Sequence, residues 1–281
     1  MAATDAGTVT VGDLTVRRMG FGAMRVTGPG IWGPPVDLDG ARAVLRRTVE
    51  LGVNFIDTAD AYGPRVSEQL IAEALRPYAQ DLVIGTKGGL LRDGPGRWRP
   101  DGRPEHLREA LEGSLRDLGL EQIQLYQLHR PDPKVPFEES VGELVRLKAE
   151  GKIRWIGLSN VTVDQLEKAM ALTQVVSVQN RYNQTDRQSD DVLAACERLS
   201  LAFLPWAPIG STAGTTAAVV ERVAGAHGAT PSQVALAWLL HRSPQMLVIP
   251  GTSSLAHLEE NVAAAALQLT PDEIEELNAA D

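Results

Sequence analysis

The sequence predicts one α/β domain over residues 1–281, a (β/α)8 barrel with an N-terminal β-hairpin plugging its bottom. Three observations predict it. Strand-like apolar runs and helix-like periodic runs alternate along the chain, eight of each. A helix between every two strands returns the chain to the same end of the sheet, so the sheet is parallel, and eight units let it close. The length of 281 residues, with no shift in composition to mark a boundary, suits a barrel, which commonly holds ~250 residues as one domain. Finally, an acid, a phenol, an ammonium and an imidazole stand at the ends of three successive strand-like runs, the end at which barrels carry chemistry.

The elements follow in order. Thr8-Val9-Thr10-Val11 and Leu14-Thr15-Val16 flank Gly12-Asp13 and read as the hairpin. Barrel strands are expected over 18–22, 54–57, 82–87, 123–129, 153–159, 175–179, 202–206 and 246–250. Helices are expected over 41–51, 67–78, 105–118, 137–150, 162–172, 190–199, 231–241 and 255–265. Val141, Leu144, Leu147 and Lys148 show the i, i+3, i+4 spacing of one buried stripe. Pro104-Glu105, Thr162 with Gln165, and Thr230-Pro231 with Gln233 are helix N-terminal signatures. The longest irregular stretches, 27–36 and 88–103, both follow strands and should lie over the barrel mouth.

Composition narrows the function. The net charge of −9 argues against a nucleic-acid partner, which favours a basic face. The single Cys196 excludes an intramolecular disulfide and points to a reducing compartment; its helical setting reads as a buried, inert thiol. No basic region followed by an apolar stretch opens the chain, and no apolar run approaches the ~20 residues that span a bilayer. A cytoplasmic protein acting on a small molecule, without a membrane or nucleic-acid partner, is the expectation, as a monomer or weak oligomer.

The chemistry gathers in Asp57-Thr58-Ala59-Asp60-Ala61-Tyr62-Gly63, Thr86-Lys87-Gly88-Gly89 and Leu128-His129-Arg130-Pro131. An inward carboxylate is costly to bury unless paired, and Lys87 is the natural counter-charge of Asp57. That ammonium beside Tyr62 is expected to lower the phenol from its usual ~10, making it a general acid near neutral pH. His129 ends a strand that Pro131 cannot continue and is expected to orient a carbonyl oxygen. Each group also has a purely structural reading: an ion pair locking two strands, a core aromatic, a satisfied histidine. The remaining histidines, 106, 227, 241 and 257, lie in helical segments without ligand spacing, so no metal site is expected. Further strand ends carry Ser159-Asn160, Gln179-Asn180 and Trp206. Gln179 ends an apolar strand, and its primary carboxamide suits a partner such as nicotinamide; Trp206 offers that ring a flat face or is simply packing at the barrel mouth. Gly20-Phe21-Gly22 lacks the third glycine of a dinucleotide fingerprint, so a Rossmann domain is not supported.

Between residues 19 and 261 the chain resembles the aldo-keto reductase family. The resemblance rests on Gly52-Val53-Asn54-Phe55-Ile56-Asp57-Thr58-Ala59 with Tyr62-Gly63, on Gly85-Thr86-Lys87 and Leu128-His129-Arg130-Pro131-Asp132. It also rests on Gly151-Lys152-Ile153-Arg154-Trp155-Ile156-Gly157-Leu158-Ser159-Asn160 and on Ile249-Pro250-Gly251 through Glu260-Asn261. It implies a barrel that binds a nicotinamide dinucleotide, usually NADPH with NADH possible, and reduces an aldehyde or ketone to an alcohol. The implied catalytic tetrad is Asp57, Tyr62, Lys87 and His129. The implied carboxamide-binding residues are Ser159, Asn160 and Gln179, with Trp206 in the place of the usual stacking Tyr. The implied adenosine-phosphate loop is Gly251, Thr252, Ser253 and Ser254, with His257, Glu260 and Asn261. Gly22, Met24, Asp57, Pro208 and Gly210 complete the implied cofactor set. Many members place Lys and Arg at the positions of Gly251 and His257 around the 2′-phosphate; here hydroxyls, amides and His257 would have to serve. Many also carry a long C-terminal tail over the pocket, so this pocket is expected to be more open.

Met24-Arg25-Val26-Thr27-Gly28-Pro29-Gly30-Ile31-Trp32-Gly33 and Pro131-Asp132-Pro133-Lys134-Val135-Pro136 look like a bacterial subgroup that includes pyridoxal reductases. Substrate contacts are expected from Tyr62 and His129, with Trp32, Arg97 and Trp98 as candidates in the loops. The rival reading is a cofactor-binding regulatory module resembling potassium-channel β subunits. A glycosidase would need a second acid facing Asp57 from another strand end, and none is present.

Overall fold

Gly12 and Asp13 make the first turn. In this computed structural model, which describes residues 2–210 and 215–280, β1 (Thr8–Val11) and β2 (Leu14–Arg17) pair antiparallel around them. Gly12 takes φ +68°, and a Cβ there would meet the Trp155 ring at 2.3 Å, so only glycine fits. The Trp155 indole N–H donates to Asp13 at 2.7 Å. Val9, Val11 and Val16 of the hairpin pack against Phe55, Val83 and Leu125, which closes the bottom of the barrel as expected.

The chain continues through β3 (Phe21–Gly22), α1 (Leu38–Glu50), β4 (Phe55–Asp57), α2 (Val66–Leu75) and β5 (Val83–Gly88). Two short strands, β6 (Leu90–Arg92) and β7 (Trp98–Pro100), come before α3 (Pro104–Leu118) and β8 (Ile123–Leu128). Then follow α4 (Phe137–Ala149), β9 (Ile153–Ser159), α5 (Val163–Met170), β10 (Val175–Arg181), α6 (Asp190–Leu199) and β11 (Ala202–Trp206). Four helices end the chain: α7 (Thr215–His227), α8 (Pro231–Arg242), α9 (Leu255–Ala263) and α10 (Pro271–Ala279). Strands β3, β4, β5, β8, β9, β10 and β11 form one parallel sheet in chain order. The eighth expected strand closes the ring by isolated bridges, Met19 to Val248 and Met246 to Phe203, rather than by a continuous ladder. Pro250 contributes no amide hydrogen, which limits that ladder to a few bonds.

Several boundaries moved. The helix expected over 67–78 ends at Leu75, because Pro77 holds its predecessor Arg76 in extended backbone at φ −78°, ψ 139°. The stretch 88–103, read as irregular, contains the β6–β7 hairpin. Helices α7 and α10 were not anticipated. For α10 the signal was present: Thr270 accepts from the Glu273 amide, with Pro271 at the first helical position. The anticipated caps formed as written, Thr162 accepting from the Gln165 amide and Thr230 from the Gln233 amide, both at 3.3 Å. Among the described residues no helix is long and apolar enough to cross a membrane, and no cluster of His, Cys, Asp or Glu could hold a metal ion. Cys196 is buried in α6, and burial pushes its thiol up to about 12, which keeps it protonated.

Candidate active site

Parallel register sets the site. Asp57 pairs with Gly85, Lys87 with Gln127, and Ser159 with Gln179, so polar strand ends from five strands meet at one mouth. Asp57 and Lys87 are both buried, with Lys87 Nζ 2.7 Å from Asp57 Oδ2. The same ammonium donates to the Thr58 carbonyl at 2.8 Å and to the Tyr62 hydroxyl at 3.3 Å. Burial alone would push Lys87 down; the Asp57 carboxylate reverses this, and the net shift is upward, so the ammonium stays charged.

The phenol behaves differently from expectation. Burial raises the Tyr62 hydroxyl above its usual value. Lys87 pulls it down, but the Asp57 charge beside that ammonium partly cancels the pull. The expectation of a lowered phenol is therefore corrected: the Tyr62 hydroxyl is held protonated, not poised near neutrality. The turn Ala61-Tyr62-Gly63 allows this placement, since Gly63 takes φ +101° and a Cβ there would strike Val66 at 2.4 Å.

His129 lies edge-on to Tyr62, ring centroids 5.8 Å apart at 82°. Burial first, then the Lys87 and Arg130 charges, hold the imidazole well below its usual value, so it is neutral at pH 7. Its Nδ1 is buried without a partner among the described residues. Trp98 from the β6–β7 hairpin meets the other edge of Tyr62 at 6.3 Å. Trp32, exposed like Trp98, has the Arg92 guanidinium 5.8 Å from its ring; the same guanidinium stacks on Trp98 at 3.7 Å. Arg97, the third loop candidate, is exposed on that hairpin.

Asn160 is the hub of the next group. It adopts φ +60°, a conformation asparagine tolerates, and its Nδ2 reaches the His129 carbonyl and the Ser159 hydroxyl, each at 3.0 Å. Its Oδ1 accepts from the Trp206 indole at 3.1 Å. Trp206 is half-buried, with the Arg181 guanidinium 5.6 Å from its ring. Gln179 Nε2 donates to Asp57 Oδ1 at 2.8 Å, so one of its amide hydrogens serves the carboxylate that pairs with Lys87. Gln127 does the same at 3.2 Å. Sequence reading missed Gln127, though a carboxamide inside the apolar run Leu125–Leu128 was a usable signal.

Gly22 and Gly251 face each other where β3 meets the eighth strand segment. A Cβ on Gly22 would lie 2.7 Å from the Ile249 carbonyl, and one on Gly251 would lie 2.4 Å from the Gly22 carbonyl. Met24 lies in the turn after Gly22 and is partly buried. Thr252 accepts from the Ser254 amide at 3.0 Å, and Ser254 caps α9 through the His257 amide at 3.4 Å. Ser253 and His257 are exposed, Glu260 is partly buried and Asn261 is buried in α9. Pro208 and Gly210 follow β11 at the same mouth; a Cβ on Gly210 would crowd Thr185 and Asn183 at about 3 Å. Arg25, three residues past Gly22, brings its Cγ to 3.7 Å from the Cβ position of Gly251. The sequence showed no reason to place it there.

This arrangement has counterparts. The family model described as the aldo/keto reductase family matches residues 18–281. An uncharacterised oxidoreductase of Schizosaccharomyces pombe is 52% identical over 271 residues, covering 96% of this chain and 88% of that protein. Pyridoxine 4-dehydrogenase of Escherichia coli is 42% identical over 280 residues, covering 97% and 98%. The crystal structure of an aldo/keto reductase from Klebsiella pneumoniae in complex with NADP and acetate superposes with a TM-score of 0.80 at 26% identity, covering 96% of this chain and 94% of that one. With the buried lysine–carboxylate pair, the phenol and the imidazole set at the mouth of a parallel barrel, and a family model matching nearly the whole chain, this protein belongs to the aldo/keto reductase family.

Proposed function

We propose that the protein is an NADP-dependent carbonyl reductase in which Tyr62 is the general acid. The observation that carries this is the buried Asp57–Lys87–Tyr62 chain beside a neutral His129. The residues present fit a nicotinamide dinucleotide. Gly22 and Gly251 approach so closely that backbone, not side chain, lines that rim. Ser159, Asn160 and Gln179 offer amide and hydroxyl groups for a carboxamide, and Trp206 offers a ring face. Met24, Pro208, Gly210, Thr252 to Ser254, His257, Glu260 and Asn261 would hold the rest. NADP and NADPH are present in Klebsiella pneumoniae relatives of this fold.

A nicotinamide held by these residues would supply the hydride that the carbonyl carbon receives. Tyr62 Oη gives its proton to the carbonyl oxygen as charge builds there, and Lys87 Nζ, donating to Tyr62 Oη, stabilises the phenolate left behind. A neutral His129 donates a hydrogen bond to the carbonyl oxygen without competing to protonate it. Asp57 keeps Lys87 charged in a buried place, and Gln127 and Gln179 fix Asp57. The 42% identity to pyridoxine 4-dehydrogenase supports a pyridoxal-type aldehyde as substrate, with Trp98 and Trp32 forming its outer wall.

The test follows reduced-nicotinamide absorbance with a panel of aldehydes, pyridoxal included, against NADPH and NADH. Turnover is expected with NADPH, and Tyr62→Phe should lower kcat by about 10²–10⁴-fold while cofactor affinity is kept. A folded Tyr62→Phe protein with normal turnover would remove the acid assignment. Tight cofactor binding without turnover of any carbonyl would favour a regulatory module.

A further inference from the structure

We propose that one ordered water beside Gly157 joins the Ser177 hydroxyl to the side-chain carbonyl of Gln127, and that this row positions Asp57 for the reaction. The inference rests on the carbonyl-reductase reading above. Its ground is a gap in the hydrogen bonding of the barrel interior. Register sets Gln127 of β8, Gly157 of β9 and Ser177 of β10 side by side, and all three are buried. Gln127 Nε2 donates to Asp57 Oδ1, which also accepts from Gln179, while Asp57 Oδ2 takes the Lys87 ammonium. A carboxamide that gives its amide hydrogens to a carboxylate turns its oxygen away from it. That oxygen, Gln127 Oε1, and the Ser177 Oγ are buried without partners among the described residues. One is an acceptor and the other a donor, and each costs free energy while unpaired.

Gly157 brings the two together. A Cβ there would lie 2.4 Å from Ser177 Oγ and 2.9 Å from Gln127 Cγ, so both side chains flank one point. Gly157 stays out of the left-handed region, so its backbone does not call for glycine; the space does. A buried water needs at least two hydrogen-bonding partners, and the hydroxyl and the carbonyl supply them. A donor on Gln127 Oε1 fixes which end of the carboxamide faces Asp57, because the reversed amide would set its oxygen against a carboxylate. It also polarises the amide, which strengthens the bond to Asp57. Ser177 is thus a positioning residue that acts through Gln127 on the carboxylate that holds Lys87.

The experiment measures single-turnover hydride transfer from NADPH to an aldehyde that the wild type reduces, with NADPH affinity by calorimetry as the companion readout. Ser177→Ala should slow the transfer by about 3–10-fold and Gln127→Met by about 10–100-fold, both with NADPH affinity and aldehyde KM within about twofold of the wild type. In the Gln127→Met background, Ser177→Ala should change the rate by less than about twofold, since its route to Asp57 is gone. Gln127→Glu supplies a readout that a structural role would not move. Its neutral carboxyl can donate to Asp57 and its ionised form cannot, so its rate should fall as pH rises, on a limb that neither the wild type nor Gln127→Met shows. Crystals of the wild type should hold one water bonded to Ser177 Oγ and Gln127 Oε1. An unchanged rate in Ser177→Ala overturns the proposal, and so does an equal loss with and without Gln127, a loss that falls on NADPH affinity, or a crystal without that water. A wild type that turns over no carbonyl overturns the reductase reading and this proposal with it.

Discussion

At Tyr62, burial, an ammonium and a carboxylate act on one hydroxyl, and burial wins. A phenol held protonated suits the proposed role of an acid that gives up its proton only when charge develops on a bound oxygen. In the proposed reaction Asp57 and Lys87 act through that single group. Asp57→Asn and Lys87→Met should each lower kcat by about 10–10³-fold, and the double variant should be little worse than the worse single one. Single-turnover kinetics on the three proteins check this; a double loss equal to the product of the singles would separate the two roles. Behind the site, Glu68 is buried with one oxygen accepting from the Thr86 hydroxyl at 2.7 Å and the other without a partner among the described residues. Burial raises its carboxyl to about 7. In the unfolded chain it ionises near its ordinary value of 4.5. Between those two values the native state holds a proton that the unfolded state has lost, so stability falls as pH rises from 4.5 to 7. Glu68→Gln removes the titration. It should stabilise the protein by up to about 3 kcal/mol at pH 8, with the gain vanishing towards pH 4.5, as read by urea unfolding at each pH.

Among elements, the β6–β7 hairpin is tied to the mouth by one residue. Arg92 donates to the Gly30 carbonyl at 2.8 Å, to the Ala61 carbonyl at 3.1 Å and to the Ile31 carbonyl, while stacking on Trp98. It thereby joins the loop over 27–36, the Tyr62 turn and the hairpin, three segments distant in sequence. Ile31 takes φ +57°, and the bond from Arg92 holds that unfavourable turn. Arg92→Ala should raise KM for the carbonyl several-fold with little effect on kcat, and cost about 2 kcal/mol. Faster proteolysis within 28–33 is the companion readout. Unchanged KM together with unchanged cleavage would show that the loops hold without it.

Across the whole molecule, barrel closure is the weakest seam, because the eighth strand segment joins its neighbours by isolated bridges. Arg18 reinforces it. Its guanidinium donates to the carbonyls of Met246, Leu240 and Ser243, fixing the end of α8 and the turn into the last strand segment. Burial depresses Arg18 below the usual arginine value, but it remains charged at any pH the fold survives. Arg18→Ala should therefore destabilise by about 3 kcal/mol and lower the melting temperature by several degrees. Hydrogen exchange should quicken first at Val248 and Gly20, whose amides bond across the seam. Loss spread evenly over the barrel would mean that closure does not depend on this arginine.

The alternation of periods, the capping residues and the polar strand ends were local patterns, and local patterns are what a chain displays. They sufficed for the barrel, the hairpin plug and the positions of Asp57, Tyr62, Lys87 and His129. Tertiary structure decided what depends on distances between remote segments. The direction of the Tyr62 shift is a balance of burial against two charges, and burial has no local signature. The partners of Asp57 come from Gln127 and Gln179 on strands 70 and 122 residues away. Arg92 carries no local signal of its place, since its partners, the carbonyls of Ile31 and Ala61, meet it only when the sheet closes. A sequence states which groups are available; closure of the ring decides which of them share a dielectric, a charge or a wall.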